Sequence, residues 1–276
     1  MEQNLNNLFY SLRSTEKMPV LFLGHGSPMN AIEENEFVRG FRMIAREIPK
    51  PAAILCVSAH WETRGTRTTA MENPRTIHDF GGFPETLFAV QYPAPGNPDL
   101  ARNTKELVKT TEVELDEKWG LDHGAWSVIK HLYPDADVPV IQLSLDYYKA
   151  PQYHFNLAKE LKSMREKGVL VIGSGNMVHN LGLIEWSRMN DDNYGFDWAV
   201  EANEKMKRYI INGDTKSLVD FRKQGNSFQL AIPTPEHYLP LLYAMALKDE
   251  NDNISLFNDK AVAGSLTMTS VKIAKD

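Results

Sequence analysis

The sequence predicts an α/β sandwich built around a largely parallel or mixed sheet. Short apolar, β-branched runs alternate with amphipathic stretches through most of the chain, which is typical of helices that cover a sheet. The two last strand candidates follow each other without an intervening helix, so they are expected to be antiparallel at the edge of the sheet. No internal repeat, low-complexity tract or Ser/Gly linker divides the 276 residues, and a single domain is therefore expected.

The individual elements follow from these patterns in chain order. Strand candidates are β-branched apolar runs bounded by turn residues, at 19–23, 53–57, 65–70, 138–143, 169–172, 253–257 and 265–273. Helix candidates carry apolar residues at helical spacing, at 35–48, 99–110, 125–132, 152–167, 196–212, 215–223 and 238–248. Gly and Pro cluster at 81–84 and 92–98, and the second cluster predicts a long ordered loop or lid.

Composition excludes several kinds of protein. Hydrophobic residues make up 42% and charged residues 24%, so the chain is globular rather than disordered. The net charge of −6 and the lack of basic runs argue against nucleic acid, and no stretch approaches the ~20 apolar residues that cross a membrane. The start of the chain does not resemble a signal peptide, and the single cysteine, Cys56, is expected to be a buried inert thiol. We expect a cytoplasmic protein, either a monomer or a small homo-oligomer.

Three predicted strands end in segments that carry a histidine. His25 follows the run at 21–23, His60 follows the run at 54–57, and His179 follows the run at 169–172 after Gly173-Ser-Gly-Asn176, which we expect to be a flexible loop. The carboxyl ends of strands border the ligand crevice of an open α/β sheet, so these histidines are expected to converge. Because neutral imidazole is a common metal ligand, the pattern predicts a metal site.

A fourth candidate is His237, in the segment Pro233-Thr-Pro-Glu-His-Tyr-Leu-Pro240. Thr234 and Pro235 suit the start of a helix, although Pro240 allows the alternative that the helix begins there. Either way His237 lies at an element boundary, from which a side chain can reach a crevice. The spacing of the four histidines matches no common zinc signature, so the residues alone leave the reaction open.

The motifs taken together resemble those of a known enzyme family. They are Leu23-Gly-His-Gly-Ser-Pro28, Val57-Ser-Ala-His-Trp61, Ile77-His-Asp-Phe-Gly-Gly-Phe-Pro84, Tyr92-Pro-Ala-Pro-Gly96, Leu121-Asp-His-Gly-Ala-Trp126, Gly173-Ser-Gly-Asn176 with His179-Asn180, and the segment around His237. In this order they are similar to the class III extradiol ring-cleaving dioxygenases, and most similar to the branch of DOPA 4,5-dioxygenases. The likeness runs from about residue 18 to about residue 272.

The resemblance implies a fold and a set of site residues. It implies a single-domain α/β/α sandwich around a mixed, largely parallel sheet, with an N-terminal extension at 1–17 and the catalytic domain at 18–276. It implies one divalent metal held by His25, His60 and His237, with His179 as the acid/base and, in some members, a fourth ligand. Many class III enzymes use a carboxylate as the third ligand, and Glu236 beside His237 leaves that alternative open. His123 is expected to act beside it in catalysis, and the expected substrate-binding residues are His78, Trp61, Phe83 and Trp126, with Phe80 as a further aromatic wall.

The expected reaction is cleavage of the aromatic ring of a DOPA-like catechol by O2, which gives a product of the muconate-semialdehyde type. Three neutral imidazoles form a site that zinc also favours, but zinc has no redox chemistry, so Fe(II) is expected for turnover and Zn(II) as a possible occupant. Two alternatives remain open at this point. One is a zinc-dependent hydrolase that uses the same histidines, and the other is a non-catalytic metal-binding protein on this fold.

Overall fold

A computed structural model describes residues 16–189 and 191–275. Its strands are β1 (Val20–Gly24), β2 (Ala53–Ser58), β3 (Glu62–Thr63), β4 (Thr66–Thr69), β5 (Val113–Asp116), β6 (Val140–Gln142), β7 (Leu145–Asp146), β8 (Val169–Gly175), β9 (Asn253–Phe257), β10 (Ala261–Val262), β11 (Leu266–Thr267) and β12 (Ser270–Ala274). Its α-helices are α1 (Glu36–Glu47), α2 (Glu85–Phe88), α3 (Pro98–Leu107), α4 (His123–Leu132), α5 (Pro151–Glu160), α6 (Asp197–Ile211), α7 (Thr215–Val219), α8 (Asn226–Ala231) and α9 (Leu239–Ala246).

The central sheet has the strand order β6-β2-β8-β1-β12-β9. The neighbouring strands β6, β2, β8 and β1 are parallel, whereas β12 is antiparallel to β1 and β9 is antiparallel to β12. The predicted mixed, largely parallel sheet with antiparallel pairing of the late strands is therefore confirmed.

Both faces of this sheet are covered, as an α/β/α sandwich requires. Val20 and Phe22 of β1 contribute to one apolar core, and Leu21 and Leu23 contribute to the other. The first core also takes buried residues of α5, α6 and α9, while the second takes residues of α1 and α4. Because successive strand residues point to opposite faces, apolar residues throughout a strand are what a sheet buried on both faces needs.

Several predicted boundaries were wrong, each for a local reason. The predicted strand at 265–273 divides into β11 and β12, because β11 pairs with β10 whereas β12 pairs with β1 and β9. The predicted helix at 152–167 is α5 followed by a 3-10 segment, Lys162–Lys167, which ends at Gly168 in the left-handed conformation. The predicted helix at 215–223 likewise ends as α7 and resumes as the 3-10 segment Phe221–Lys223. The elements β3, β5, β7, β10, α2 and α8 were not predicted.

The predicted loop after residue 172 is also wrong, since β8 continues to Gly175. Gly173, Ser174 and Gly175 pair with Phe22, Leu23 and Gly24 of β1. A Cβ atom on Gly175 would lie 2.1 Å from the carbonyl oxygen of His237. Glycine is therefore required at the end of this strand because another backbone packs directly against it.

Other expectations concern the chain as a whole. Among the described residues, no helix combines the length and the apolar character needed to cross a bilayer. Cys56 is a buried free thiol within β2, as predicted. The segment 92–98 is irregular and ordered by contacts such as the Tyr92 hydroxyl, which donates to the carbonyl of Tyr133 at 2.8 Å. Of the predicted N-terminal extension at 1–17, residues 1–15 lie outside the described residues.

Candidate metal centre

The histidines meet at the carboxyl edge of the central sheet. His25 follows β1, His60 follows β2 and His179 follows β8, and these three strands are neighbours in the sheet. His237 lies just before α9, which begins at Leu239, so the second of the two predicted helix starts is confirmed. The ring centroids of His25, His60 and His237 are 5.0 to 5.2 Å apart from one another. The structure therefore brings the three predicted ligands together.

Hydrogen bonds fix which nitrogen of His25 faces this centre. The Oγ of Ser174 lies 3.0 Å from His25 Nδ1 and itself donates to the carbonyl oxygen of Gly124. Because the serine proton is used there, the serine oxygen accepts from Nδ1–H of His25. The Nε2 atom of His25 is then left with a lone pair that points at the other histidines.

The other two predicted ligands each have an outer carboxylate. His237 Nδ1 lies 3.1 Å from Glu236 Oε1, and because a carboxylate accepts, this ring keeps its proton at Nδ1. His60 Nδ1 lies 3.3 Å from Asp79 Oδ2 as an ion-pair contact, and His60 Nε2 lies 3.3 Å from His25 Nε2, a hydrogen bond when His60 carries its proton at Nε2. With the His60 proton at Nδ1 instead, beside Asp79, the Nε2 atoms of His25 and His60 would both be free, so these donors fit a divalent metal.

His123, the first residue of α4, is also part of the cluster. Its ring centroid is 3.8 Å from that of His60, and its Nδ1 lies 3.0 Å from Asp79 Oδ2, although not aligned as a hydrogen bond. Among the described residues, the possible ligand atoms form two compact groups, one of His25, His60 and His123 and one of His179, Glu236 and His237. A group that includes His25 and His60 can therefore hold a metal, with His123 and His237 as competing third donors.

His179 has a different relation to the centre. Its ring is stacked on that of His237, with a centroid distance of 3.5 Å and an angle of 7° between the planes. Its backbone amide donates to the carbonyl of Ala231 at 2.8 Å, which holds it beside the segment that leads to His237. The structure brings His179 to the cluster, stacked face to face on His237, and its possible ligand atoms group with those of Glu236 and His237.

Burial and crowding keep these imidazoles neutral. Burial, followed by the neighbouring His123, lowers the pKa of His60 to about 3, against the opposing effect of Asp79 and Glu236. Burial lowers the pKa of His179 to about 4, and burial with the neighbouring histidines lowers the pKa of His25 and His237. A neutral imidazole is the form that binds a metal.

A buried polar network holds the first turn of α4 in place. Asp122 is the N-cap of this helix, and its Oδ1 accepts from the Ala125 amide at 3.1 Å and from Ser58 Oγ at 2.6 Å. Its Oδ2 accepts from Gln142 Nε2 at 2.6 Å and Trp119 Nε1 at 3.3 Å. Burial raises the pKa of Asp122 even against these hydrogen bonds. The network ties α4 to β2 and β6, and so fixes the position of His123, the first residue of this helix.

The residues predicted to bind substrate lie at two depths. The Phe80 ring packs edge-on against His123 at 5.4 Å and against Phe83 at 5.4 Å, so these two aromatics adjoin the histidines. Trp126 is fully buried and donates to the carbonyl of Ile77 at 2.7 Å. Trp61 is buried in a stack with Trp119, and His78 Nε2 donates to the carbonyl of Val90 at 2.9 Å. As placed, Trp61 and Trp126 are buried and contact other parts of the protein, Trp119 and the Ile77 carbonyl respectively.

Sequence reasoning did not single out Asp79 or Ser174. A signal for Ser174 exists, since Leu170, Ile172 and Ser174 alternate in β8 just as Leu21, Leu23 and His25 alternate in and after β1. Residues two apart share a face of a sheet, and the leucines and Ile172 share one core. Asp79 has no such signal, because it lies in an irregular loop whose contacts are long-range.

The fold and this site define a class of protein, an α/β/α sandwich with a cluster of histidines that could hold a metal at the carboxyl edge of its sheet. The family described as catalytic LigB subunit of aromatic ring-opening dioxygenase matches residues 19–269. The chain belongs to this family. The predicted resemblance to the class III extradiol enzymes, and the prediction of an extradiol ring-cleaving dioxygenase, are thereby confirmed.

Individual relatives agree over nearly the whole chain. A protein of Escherichia coli (strain K12) named 4,5-DOPA dioxygenase extradiol is 45% identical over 266 residues, which covers 95% of this chain and 97% of that protein. One of Beta vulgaris with the same name is 35% identical over 258 residues, covering 91% and 94%. A crystal structure of an uncharacterized protein from Escherichia coli K12 has a TM-score of 0.81 at 40% identity, and covers 94% of this chain and 100% of that one.

Proposed function

We propose that this chain is a metal-dependent extradiol dioxygenase that cleaves the ring of a DOPA-like catechol with O2 and forms a muconate-semialdehyde-type product. The names of the relatives from Escherichia coli and Beta vulgaris support this substrate class. The proposed catalytic domain spans residues 18–276.

The observation that carries the metal dependence is the convergence of three imidazoles. The Nε2 atoms of His25 and His60 lie 3.3 Å apart, and the ring centroid of His237, whose Nδ1 is bonded to Glu236, lies 5.0 to 5.2 Å from both rings. The three histidines would hold one divalent ion, Fe(II) for turnover, with Zn(II) as an inactive occupant. The bound ferrous ion would supply the redox chemistry for dioxygen and a charge that stabilises the catecholate.

The protein side chains would then position the catechol and move its proton. His179, neutral and beside His237, would accept a proton from a catechol hydroxyl and later return it to a leaving oxygen. His123 would line the pocket and contact the bound oxygens from the first turn of α4. Phe80 lies beside His123 and Phe83 lies beside Phe80, and these two rings would pack against the substrate ring.

The test is an oxygen-electrode assay of protein loaded anaerobically with Fe(II), run against a panel of catechols that includes DOPA. We expect dioxygen and catechol to disappear one to one, with formation of a coloured semialdehyde. The same protein loaded with Zn(II) should be inert. Equal turnover with Zn(II) and no uptake of oxygen would contradict the proposal and favour a zinc-dependent hydrolase.

A further inference from the structure

We infer that Asp79 is a positioning residue that joins the metal site to loop 77–90, so that metal binding and the ordering of this loop support each other. The inference rests on the proposed metal site, because His60 is one of its ligands. Asp79 lies in an irregular loop, and its proposed role is to position His60 rather than to bind the metal itself.

One carboxylate makes three contacts here. Asp79 Oδ2 lies 3.3 Å from Nδ1 of His60 and 3.0 Å from Nδ1 of His123. Asp79 Oδ1 accepts from the backbone amide of His123 at 2.9 Å, which is the first amide of α4. A carboxylate at the N-terminus of a helix is also favoured by the helix dipole. Asp79 therefore links a predicted metal ligand to the helix that carries its neighbour.

The position of Asp79 in its loop means that this link also affects the conformation of the loop tip. Its side chain is 18% exposed, although the residue as a whole is exposed, as are Gly81, Gly82 and Pro84 just after it. Nothing lies within 4 Å of a Cβ placed on either glycine, and Gly82 has a φ of +79°. The tip of the loop is thus held by the residues that precede it, of which Asp79 is the charged one.

The base of the loop is fixed independently of the metal site. His78 Nε2 donates to the carbonyl of Val90 and so ties the two ends of the loop together. Trp126 holds the carbonyl of Ile77, and Leu87 is fully buried. Loss of the Asp79 contacts should therefore free residues 79–84 without unfolding the protein.

The chemistry gives the expected size of the effect. A carboxylate that accepts Nδ1–H of a ligand histidine fixes the tautomer and makes the metal-binding nitrogen more basic, and loss of such a partner typically weakens metal binding ~10–100-fold. Coupling between two equilibria is reciprocal. If Asp79 makes metal binding tighter by holding His60, bound metal must in turn hold Asp79 and its loop.

The experiment measures Zn(II) affinity by competition with a chromophoric chelator, and chymotryptic cleavage within residues 77–90 by mass spectrometry. Asp79→Asn should bind Zn(II) ~10–100-fold more weakly, and Zn(II) should no longer slow cleavage after Phe80. Asp79→Glu, which keeps the charge, should recover part of the affinity. Glu85→Gln removes an exposed carboxylate of the same loop and should match the wild type.

Three results would overturn the inference. The first is Asp79→Asn with affinity within twofold of the wild type, the second is Glu85→Gln with an equal loss, and the third is wild-type protein in which saturating Zn(II) leaves cleavage of the loop unchanged. The third result needs no variant, so the inference can still be tested if Asp79→Asn fails to fold.

Catechol turnover by the wild type is measured separately. If the proposed function is wrong, the Fe(II) protein is inactive, but Zn(II) still protects loop 77–90 from chymotryptic cleavage.

Discussion

The Nε2 atoms of His25 and His60 face each other at 3.3 Å, and the His25 proton is held at Nδ1 by Ser174 Oγ. His60 Nε2–H can therefore donate to His25 Nε2 when the site holds no cation. With the His60 proton at Nδ1, 3.3 Å from Asp79 Oδ2, the same two nitrogens would be placed to share one cation. The third donor comes either from His237, whose ring centroid is 5.2 Å from that of His25, or from His123, whose ring centroid is 3.8 Å from that of His60.

The first prediction identifies the three ligands. His25→Ala, His60→Ala and His237→Ala should each lower the metal content sharply, because a site with two remaining protein ligands binds metal weakly. His123→Ala should keep most of the metal, since His123 is expected to contact substrate. Elemental analysis of proteins purified in parallel measures this directly.

The matched control for this series is His154→Gln, whose ring lies 3.1 Å from the Tyr243 hydroxyl and outside both groups of possible ligand atoms, and which should leave the metal content unchanged. Metal loss in His123→Ala together with full retention in His237→Ala would reverse the two assignments. Full occupancy in His25→Ala or His60→Ala would remove that residue from the ligand set.

A second prediction concerns the end of β8. Gly175→Ala places a methyl group 2.1 Å from the carbonyl oxygen of His237, so the segment that carries this ligand must move. We expect lower metal affinity and a lower midpoint of thermal unfolding, because the backbone there has little room to adjust. Gly81→Ala, whose methyl group would meet nothing within 4 Å, should change neither quantity. Wild-type affinity in Gly175→Ala would show that the segment before α9 adapts.

Much of this site could be predicted from sequence because strand ends impose a simple geometry. An apolar run followed directly by His25 or His60 places the side chain at the carboxyl edge of a sheet, and parallel neighbours bring such edges together. Alternation along the strands extends this to Ser174 and Ser58, which share a face with the leucines and isoleucines of one core.

The remaining features depend on contacts that local patterns do not encode. The contact of Asp79 with His60 and His123 is made by an irregular loop, and no periodicity gives its direction. The closeness of His123 to His60 depends on where α4 docks, which Asp122 fixes through partners on two different strands. Gly173-Ser-Gly175 was mistaken for a loop because glycine is rare inside strands, whereas here close packing of other backbone requires it.

A third prediction concerns stability far from the site. Arg165 is fully buried, and its guanidinium bonds to both carboxylate oxygens of Asp252, at 2.6 and 3.2 Å. Burial alone would raise the pKa of Asp252, but the bonds from Arg165 and from the Asp249 amide lower it to about 2. Asp252→Asn leaves a buried guanidinium without its charge partner, and we expect a loss of ~3–5 kcal/mol in the free energy of unfolding at neutral pH.

The pH dependence of this loss has a definite sign. Because the pKa of Asp252 is lower in the folded chain than its usual 3.8, the stabilisation is complete above about pH 4 and disappears as the pH falls toward 2. The difference between wild type and Asp252→Asn in urea unfolding should therefore shrink over that interval. Asp137→Asn, which breaks an exposed pair with Lys50, should have a much smaller effect. A difference that stays constant from pH 6 to pH 3 would contradict the assignment.

The last prediction separates metal binding from proton transfer at His179. Its ring is parallel to that of His237 with centroids 3.5 Å apart, and the lone pair of an imidazole nitrogen lies in the plane of its ring. The lone pairs of the two rings therefore lie in separate parallel planes, and the possible ligand atoms of His179 group with those of Glu236 and His237 rather than with those of His25 and His60. This geometry suits a residue that faces the substrate beside the metal, and disfavours a fourth ligand.

His179→Gln should accordingly keep most of the metal and still bind catechol, while kcat falls ~10²-fold or more, as expected for the loss of a positioned base. The remaining activity should rise with pH, because a more basic solution supplies the catecholate that His179 no longer generates. Metal content and the pH–rate profile are measured on one preparation, with His25→Ala as the reference for ligand loss. If His179→Gln loses as much metal as His25→Ala does, His179 is a metal ligand in solution. That result would contradict its assignment as an acid/base.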